Sequence, residues 1–166
     1  YSERFEVTSA RFANVAFSNG SLPDAFLRRL QKRQPLAAPR DVERYFISPE
    51  ESGHICLLAS VLGKSGELFF PKLSRDDTLR FDTIARSLLR ELGYEIEECQ
   101  SEEEARSKAA SLSIDSIRYP VYFFDTDTSG EKAVEVFYRP GDEPDFNRFR
   151  ALGVIRSNAH ISADRI

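Results

Sequence analysis

Signals for the start and end of helices recur along this 166-residue sequence and alternate with short apolar segments, a pattern typical of mixed α/β folds. The sharpest is Ser48-Pro49-Glu50-Glu51, a capping box with Ser at the N-cap, Pro at N1 and Glu at N3. It predicts a helix that ends at Gly63. The side chains expected to face inward are Ile55, Leu58, Ala59 and Leu62.

Helical periodicity is strongest after Thr78, where apolar residues recur at positions i, i+3, i+4 and i+7 and Gly93 follows the last of them. The apolar residues are Phe81, Ile84, Ala85, Leu88, Leu89 and Leu92. Other helices are predicted from about Leu22 to before Pro35, from a capping box at Ser101 and Glu104 to about Leu112, and over about 145–152.

Strands are predicted where apolar and aromatic residues cluster between these helices. The segments are 5–17, 44–47, 67–70 and 119–124, with 134–138 as a hairpin partner of the last. The alternation of strands and helices in the first half predicts an α/β fold, and the strands and helices that follow predict an α+β extension. The sequence contains no internal repeat.

Composition excludes several classes of function. The net charge of −4 and the isoelectric point near 5.3 give no general attraction to nucleic acid or to an anionic membrane. No apolar run approaches 18 residues, so membrane insertion is not expected. Cys56 and Cys99 are too few for a disulfide framework, and Cys56 lies in an apolar run that predicts a buried, reduced thiol. A cytoplasmic location is expected.

Two glycine-containing motifs resemble ligand loops but lack essential residues. Gly63-Lys64-Ser65 ends a predicted helix and has Leu58 where a phosphate loop needs glycine, so a turn is expected. The run from Asp125 to Gly130 matches the first half of a calcium loop, yet Val136 stands where the bidentate Glu belongs. A turn is therefore favoured over a calcium site there too.

The remaining titratable clusters favour ordinary structural roles. His54 and His160 are the only histidines, and neither has neighbours at metal-ligand spacing, so no metal site is expected. The basic run 28–33 lies at the predicted C-terminal end of a helix, where cations complement the helix dipole. A solvated face is the favoured interpretation of this run, and phosphate or partner binding is the alternative.

Polar residues at three positions are harder to explain by structure alone. Asn14 stands within the apolar run Phe12–Ala16, and a buried amide there needs hydrogen-bonding partners. Gly20 and Ser21 immediately precede a predicted helix, where backbone N–H groups gather. Arg44 begins an aromatic strand and is suited either to a phosphate or to an ion pair with a nearby carboxylate, Asp41 or Glu43.

In order and spacing these segments resemble extended short-chain dehydrogenases/reductases, specifically the polysaccharide-biosynthesis branch of nucleotide-sugar 4,6-dehydratases and epimerases. The similar segments are Arg11-Phe12-Ala13-Asn14-Val15, Asn19-Gly20-Ser21-Leu22-Pro23, Glu43-Arg44-Tyr45-Phe46-Ile47-Ser48 and Gly66-Glu67-Leu68-Phe69-Phe70-Pro71-Lys72. The resemblance covers about the first 75 residues. It implies that residues 1–75 form the end of a Rossmann-like core with a substrate-binding segment, and that residues 76–166 form a C-terminal α+β extension.

The resemblance also implies roles for individual residues. Asn14 would hydrogen-bond a nucleotide-sugar, and the backbone around Phe12 would lie against the nicotinamide of NAD(P). Gly20 and Ser21 would border the sugar diphosphate, and Arg44 would hold the diphosphate or the ribose. Lys72 belongs to the family's Pro-Lys pair, for which the resemblance gives no role. The loop before Gly20 commonly carries Arg in the family, and this chain has Asn19 there.

Reactions of the family begin with hydride removal from sugar C4 by NAD(P), assisted by a Tyr-Lys pair. No tyrosine of this sequence has lysine four residues later, and no glycine-rich dinucleotide fingerprint follows a strand. The chain is therefore expected to be the substrate-binding, C-terminal fragment of an NAD(P)-dependent dehydratase acting on UDP-N-acetylglucosamine, inactive alone, from a homo-oligomeric parent. A 4-epimerase and a non-catalytic nucleotide-sugar-binding module are the alternatives.

Overall fold

A computed structural model describes residues 6–126 and 135–156, which contain four α-helices, nine strands and one 3₁₀ turn over Arg75–Asp77. In chain order the elements are β1 (Ser9–Ala10), β2 (Asn14–Val15), α1 (Leu22–Gln31), β3 (Leu36–Pro39), β4 (Glu43–Ile47), α2 (Pro49–Leu62), β5 (Glu67–Pro71), β6 (Thr78–Arg80), α3 (Phe81–Glu91), β7 (Glu95–Cys99), α4 (Glu102–Ala110), β8 (Arg118–Phe124) and β9 (Leu152–Arg156). The mixed strands and helices, with parallel pairing in two sheets, confirm the predicted α/β class.

The chain forms two compact units that interleave along the sequence. Unit 1 comprises Tyr1–Val15, Ile47–Asp76 and Glu135–Ile166, and unit 2 comprises Ala16–Phe46 and Asp77–Val134. The predicted division at residue 75 concerns a Rossmann-like core and its extension, and it stays a prediction. Within the described ranges, no helix has the length and apolar character needed to cross a membrane.

Unit 1 is built on a three-stranded sheet in which β5 is the central strand. It pairs in parallel with β1 and in antiparallel with β9, with Phe69 opposite Val154. Helix α2 packs on β1 and β5 and buries Ile55 and Ala59. Its start has the predicted capping box, since Ser48 and Glu51 bond each other's backbone N–H groups, and its C-cap is Gly63 as expected.

Gly153 lets β9 approach β5 closely in the core of unit 1. A Cβ atom built at this position would lie 2.3 Å from Cζ of Phe70, whose ring is fully buried. The ring of Phe70 packs against Phe137 and Phe146, so it has little room to move aside. The absence of a side chain at residue 153 therefore permits this packing.

Unit 2 is built on a parallel sheet with the strand order β3-β8-β7. Helices α1 and α3 cover one face and bury a single apolar cluster against β3 and β8. The cluster consists of Phe26, Leu36, Ala38, Ala85, Leu89, Tyr119, Val121 and Phe123. Tyr119 also donates a hydrogen bond from its hydroxyl to the carbonyl of Gln34 (2.7 Å), and burial raises its pKa to about 12.

Helix α4 packs on the opposite face of the same sheet. Ion pairs on neighbouring residues of β7 show this, because successive side chains of a strand point to opposite faces. Lys108 of α4 contacts Glu97 at 2.8 Å, whereas Arg86 of α3 contacts Glu98 at 2.8 Å. Beside the sheet, β4 and β6 form an antiparallel ladder in which Arg44 lies opposite Leu79.

Several local predictions were wrong in ways that share a cause. Cys56 is exposed rather than buried, because α2 turns Ile55 and Ala59 inward and leaves the neighbouring positions on the outer face. Leu62, expected to face inward, is also exposed. The strand predicted over 5–17 is replaced, in its described residues 6–17, by two short strands. In each case an apolar residue or run was assigned to the core, although the backbone geometry placed part of it elsewhere.

The end of the chain differs most from expectation. Asp145–Leu152 was predicted to be a helix, but its residues form bends and a bridge that lead into β9. The hairpin partner predicted over 134–138 is also wrong, since its described residues 135–138 contain no strand. Val134 itself, His160 and residues 127–130 of the predicted turn lie outside the described residues.

We predict that Gly153→Ala destabilises the protein by about 1–3 kcal/mol, because the added methyl group must displace a buried ring. Gly53→Ala is the matched control. Gly53 lies inside α2 with no atom within 4 Å of its virtual Cβ, so alanine there should stabilise by about 0.5–1 kcal/mol. Chemical denaturation of both variants measures the difference. Equal effects of the two substitutions would contradict the close approach of β9 and β5.

Candidate functional site

Phe12 and Asn14 lie in unit 1, around the start of β2. Nδ2 of Asn14 donates a hydrogen bond to Oε1 of Glu135 at 2.5 Å, and the neighbouring Arg11 donates from Nη1 to the carbonyl of Phe137 at 2.5 Å. These two bonds tie the segment before β2 to residues more than 120 positions later. Asn14 is half-buried, and its carboxylate partner fixes the orientation of its amide, while Phe12 is exposed.

Gly20 and Ser21 lie in unit 2, at the beginning of α1. Gly20 has a left-handed backbone (φ +83°) that glycine adopts easily. The hydroxyl of Ser21 accepts a hydrogen bond from the N–H of Asp24 (3.3 Å), which makes it the N-cap of the helix. The N–H of Gly20 in turn donates to the carboxylate of Asp24 at 3.3 Å. An acidic group therefore already contacts the backbone where a diphosphate is predicted to bind.

Arg28 is a neighbour of this loop and belongs to the basic run 28–33, for which a solvated face was the favoured interpretation and phosphate or partner binding the alternative. Its Nε donates to Oδ2 of Asp24 at 2.8 Å, and its Nη2 donates to Oδ1 of Asn19 at 2.8 Å. The loop in which the family commonly carries Arg thus has a guanidinium beside it, supplied from the second turn of the helix. The separation of nine residues between Asn19 and Arg28 hid this arrangement from motif analysis.

Arg44 lies in the β4–β6 ladder of unit 2 and is half-buried. Its Nη1 donates to the carbonyl of Glu43 at 2.8 Å, so the contact expected with that residue runs through the backbone oxygen. The carboxylate of Glu43 accepts from the Thr78 hydroxyl at 3.2 Å. Asp41, the other expected partner, accepts from Thr126, and the hydroxyl of Thr126 lowers the pKa of that carboxyl.

The five predicted residues thus divide between the units. Phe12 and Asn14 belong to unit 1, whereas Gly20, Ser21 and Arg44 belong to unit 2. Within unit 2, Gly20 and Ser21 lie at the N-terminus of α1, where backbone N–H groups can bind phosphate. Arg44 lies on β4 and offers a guanidinium, which also binds phosphate. In the described part of the chain, no group of three or more His, Cys, Asp or Glu side chains is arranged to hold a metal ion.

Comparison with known proteins gives the family. A family model described as "polysaccharide biosynthesis protein" matches residues 1–110, which is more than half of the chain. The chain belongs to this polysaccharide-biosynthesis family. No curated protein matches the sequence.

A solved structure supports the fold of this family member. The X-ray structure of Pen from Bacillus thuringiensis matches with a TM-score of 0.59 at 16% identity. The match covers 93% of this chain and 41% of the Pen chain, so the chain spans less than half the length of that protein. At this identity the likeness shows a shared fold.

Lys72, for which the resemblance gave no role, has a structural one in this family member. Its Nζ donates hydrogen bonds to three backbone carbonyls in the loop before β9, those of Phe146, Phe149 (2.6 Å) and Arg150 (3.4 Å). Its own N–H bonds the carbonyl of Ala151 at 2.9 Å. The ammonium group therefore holds the loop before β9 against the end of β5.

We predict that Lys72→Met destabilises the protein by about 1–3 kcal/mol, because it removes charge-assisted hydrogen bonds to several carbonyls. Lys32→Met is the control, since Lys32 is an exposed residue at the end of α1, and its replacement should change stability by less than about 0.5 kcal/mol. The midpoints of urea denaturation report both. Identical midpoints for the two variants would contradict a stabilising role of Lys72.

Proposed function

We propose that this chain is the nucleotide-sugar-binding part of an NAD(P)-dependent 4,6-dehydratase that acts on UDP-N-acetylglucosamine in polysaccharide biosynthesis. The observation that carries the proposal is the family match over residues 1–110, which spans all five predicted site residues. The resemblance of the four ordered segments supplies the reaction class. A 4-epimerase uses the same binding residues and differs in where the hydride returns.

Arg44 has the central role in the proposal. A guanidinium presents a rigid set of donors that matches a diphosphate, and it stays charged at any physiological pH. Its bond to the carbonyl of Glu43 and its half-buried position on β4 restrict its rotamers before a ligand arrives. A side chain restricted in this way loses less entropy on binding than a free surface arginine.

The start of α1 provides the second contact with the diphosphate. Backbone N–H groups at a helix N-terminus carry partial positive charge and favour anions. Asp24 and Arg28 form an i, i+4 ion pair there, in which the Arg28 side chain is 60% exposed and the Asp24 side chain 20%. A diphosphate that replaces the Asp24 carboxylate breaks this pair and the bond from the Gly20 N–H, and it gains the guanidinium of Arg28 and the N–H groups of the helix start.

Asn14 and Phe12 are proposed to serve the sugar and the cofactor. The Glu135 carboxylate accepts the hydrogen bond from Nδ2 of Asn14 and so fixes the orientation of the amide before a sugar hydroxyl binds. Phe12 is an exposed apolar residue, and a binding surface for the flat nicotinamide ring needs exposed apolar atoms of this kind. NAD(P), when bound, supplies a hydride acceptor for sugar C4. The residues of this chain bind and orient the substrate, and the Tyr-Lys pair is not among them.

We predict that Arg44→Ala in the full-length protein weakens UDP-N-acetylglucosamine binding by about 1.5–3 kcal/mol, the value of a charge-assisted hydrogen bond. Arg90→Ala is the matched control, because Arg90 is exposed on α3, and it should leave the affinity unchanged. Isothermal titration calorimetry measures both. Equal affinity of the Arg44→Ala variant and the wild type would exclude Arg44 from the nucleotide site.

The reaction itself is tested by incubating the full-length protein with UDP-N-acetylglucosamine and NAD(P) and identifying the product by NMR. A 4-keto-6-deoxy sugar nucleotide is the expected product. A sugar inverted at C4 would identify the epimerase instead. Binding without turnover would favour the non-catalytic module and contradict the proposed dehydratase.

A further inference from the structure

Unit 2 has two adjoining clefts on the side of the sheet that α4 covers only in part. The first, about 360 Å³, is lined by Arg29, Arg33 and Arg106 beside the small residues of α4. The second, about 490 Å³, is lined by Arg29, Tyr122 and further residues of the sheet. Arg29 borders both, so the two clefts meet at this side chain, and they are called the groove below.

The first cleft is strongly cationic. Its three arginines come from both walls, with Arg29 and Arg33 four residues apart on or just after α1 and Arg106 on α4. The backbone N–H of Arg33 donates to the carbonyl of Leu30 at 3.0 Å, and within the described ranges its guanidinium has no hydrogen bond or ion pair. Nη1 of Arg29 donates to the carbonyl of Pro35 at 3.1 Å, which leaves the other donors of that guanidinium. Arg106 pairs with Glu102, but its side chain is 69% exposed, and such a pair contributes about 0–1 kcal/mol. An anion can therefore contact Arg33 without breaking an ion pair and replace the partner of Arg106 at little cost.

The second cleft has an aromatic floor and an acidic edge. The rings of Tyr122 and Phe124 on β8 stack against each other, with their centroids 5.9 Å apart and an angle of 27° between their planes. Both residues are half-buried, as the uncovered part of the sheet requires. Glu102 and Asp125 border the two rings. Glu102 pairs with Arg106 and Asp125 with Arg40 (3.6 Å), and both pairs are exposed, so that an N–H donor of a ligand can compete for these carboxylates.

We propose that this groove binds a nucleoside diphosphate at a site that uses none of the residues assigned to the nucleotide-sugar. The base stacks on Tyr122 and Phe124, its N–H edge faces the acidic border, and the phosphates meet the arginines of the first cleft. The combination selects this ligand class, because an inorganic anion would not use the aromatic floor and an uncharged aromatic would not use the guanidiniums. The basic run of α1 thereby acquires a phosphate-binding role.

The probe for this site is GDP, since guanine presents N–H donors toward the carboxylates and is neither the base of the proposed substrate nor that of NAD(P). In calorimetry on the full-length protein saturated with UDP-N-acetylglucosamine and NAD(P), we expect GDP to bind with one site per chain. Arg33→Gln should weaken GDP about tenfold or more. Tyr122→Leu, which keeps an apolar side chain of similar bulk on the sheet, should weaken it about fivefold.

Two controls separate this inference from the proposed function. Arg90→Ala should leave GDP binding unchanged, and Arg44→Ala should weaken the nucleotide-sugar without affecting GDP. If Arg33→Gln lowers the melting temperature, Arg106→Gln on the opposite wall provides the same test. The proposal is overturned if GDP fails to bind, if UDP-N-acetylglucosamine displaces it, or if pyrophosphate binds as tightly as GDP. None of these results depends on whether the dehydratase reaction occurs.

Discussion

Burial of one face of the central strand β8 is the constraint on which unit 2 depends. Tyr119, Val121 and Phe123 pack under α1 and α3, while the alternate residues face α4 and the groove. Each strand residue on the first face is almost completely excluded from water, and burying a large apolar side chain contributes about 1.5–3 kcal/mol. The helices that carry the arginines therefore pack on a rigid sheet, and this packing determines the positions of the residues that line the groove and of the start of α1.

Electrostatic interactions on this framework are weak individually and easily exchanged. The ion pairs Arg28–Asp24 and Arg106–Glu102 are both i, i+4 pairs on helices, the second of them exposed at both partners, and pairs of this spacing contribute about 0.3–0.5 kcal/mol. A doubly charged phosphate group offers more to a guanidinium than a single solvated carboxylate does. The structure thus keeps its cations in place with partners that an anionic ligand can replace.

Local signals in the sequence predicted all four helices of the described residues, together with a helix over 145–152 that the structure does not contain, and they were insufficient for much of the sheet. The cap at Ser48 and the stop at Gly63 follow from neighbouring residues, and α2 formed as expected. The strand β7 was not predicted, because its polar sequence Glu95–Cys99 becomes a strand only when helices on both faces supply ion-pair partners. The strand β9 depends on pairing with β5, more than 80 residues earlier, which no local pattern contains.

The same distinction applies to the candidate site. Asn14 was recognised as an unusual amide within an apolar run, but its partner Glu135 is 121 residues away, so the sequence around Asn14 could not predict it. The second capping box was only half correct, since Glu104 accepts from the N–H of Gln100 rather than that of Ser101. The sequence shows which residue type occupies each position, whereas the fold determines which residues that side chain contacts.

The proposed function requires Asn14 and Arg44 to contact one nucleotide-sugar. A crystal structure of the full-length protein with UDP-N-acetylglucosamine bound is the decisive measurement. We expect the Arg44 guanidinium within hydrogen-bonding distance of the diphosphate or ribose and the Asn14 amide within hydrogen-bonding distance of the sugar. A nucleotide-sugar bound elsewhere, with neither side chain in contact, would contradict it.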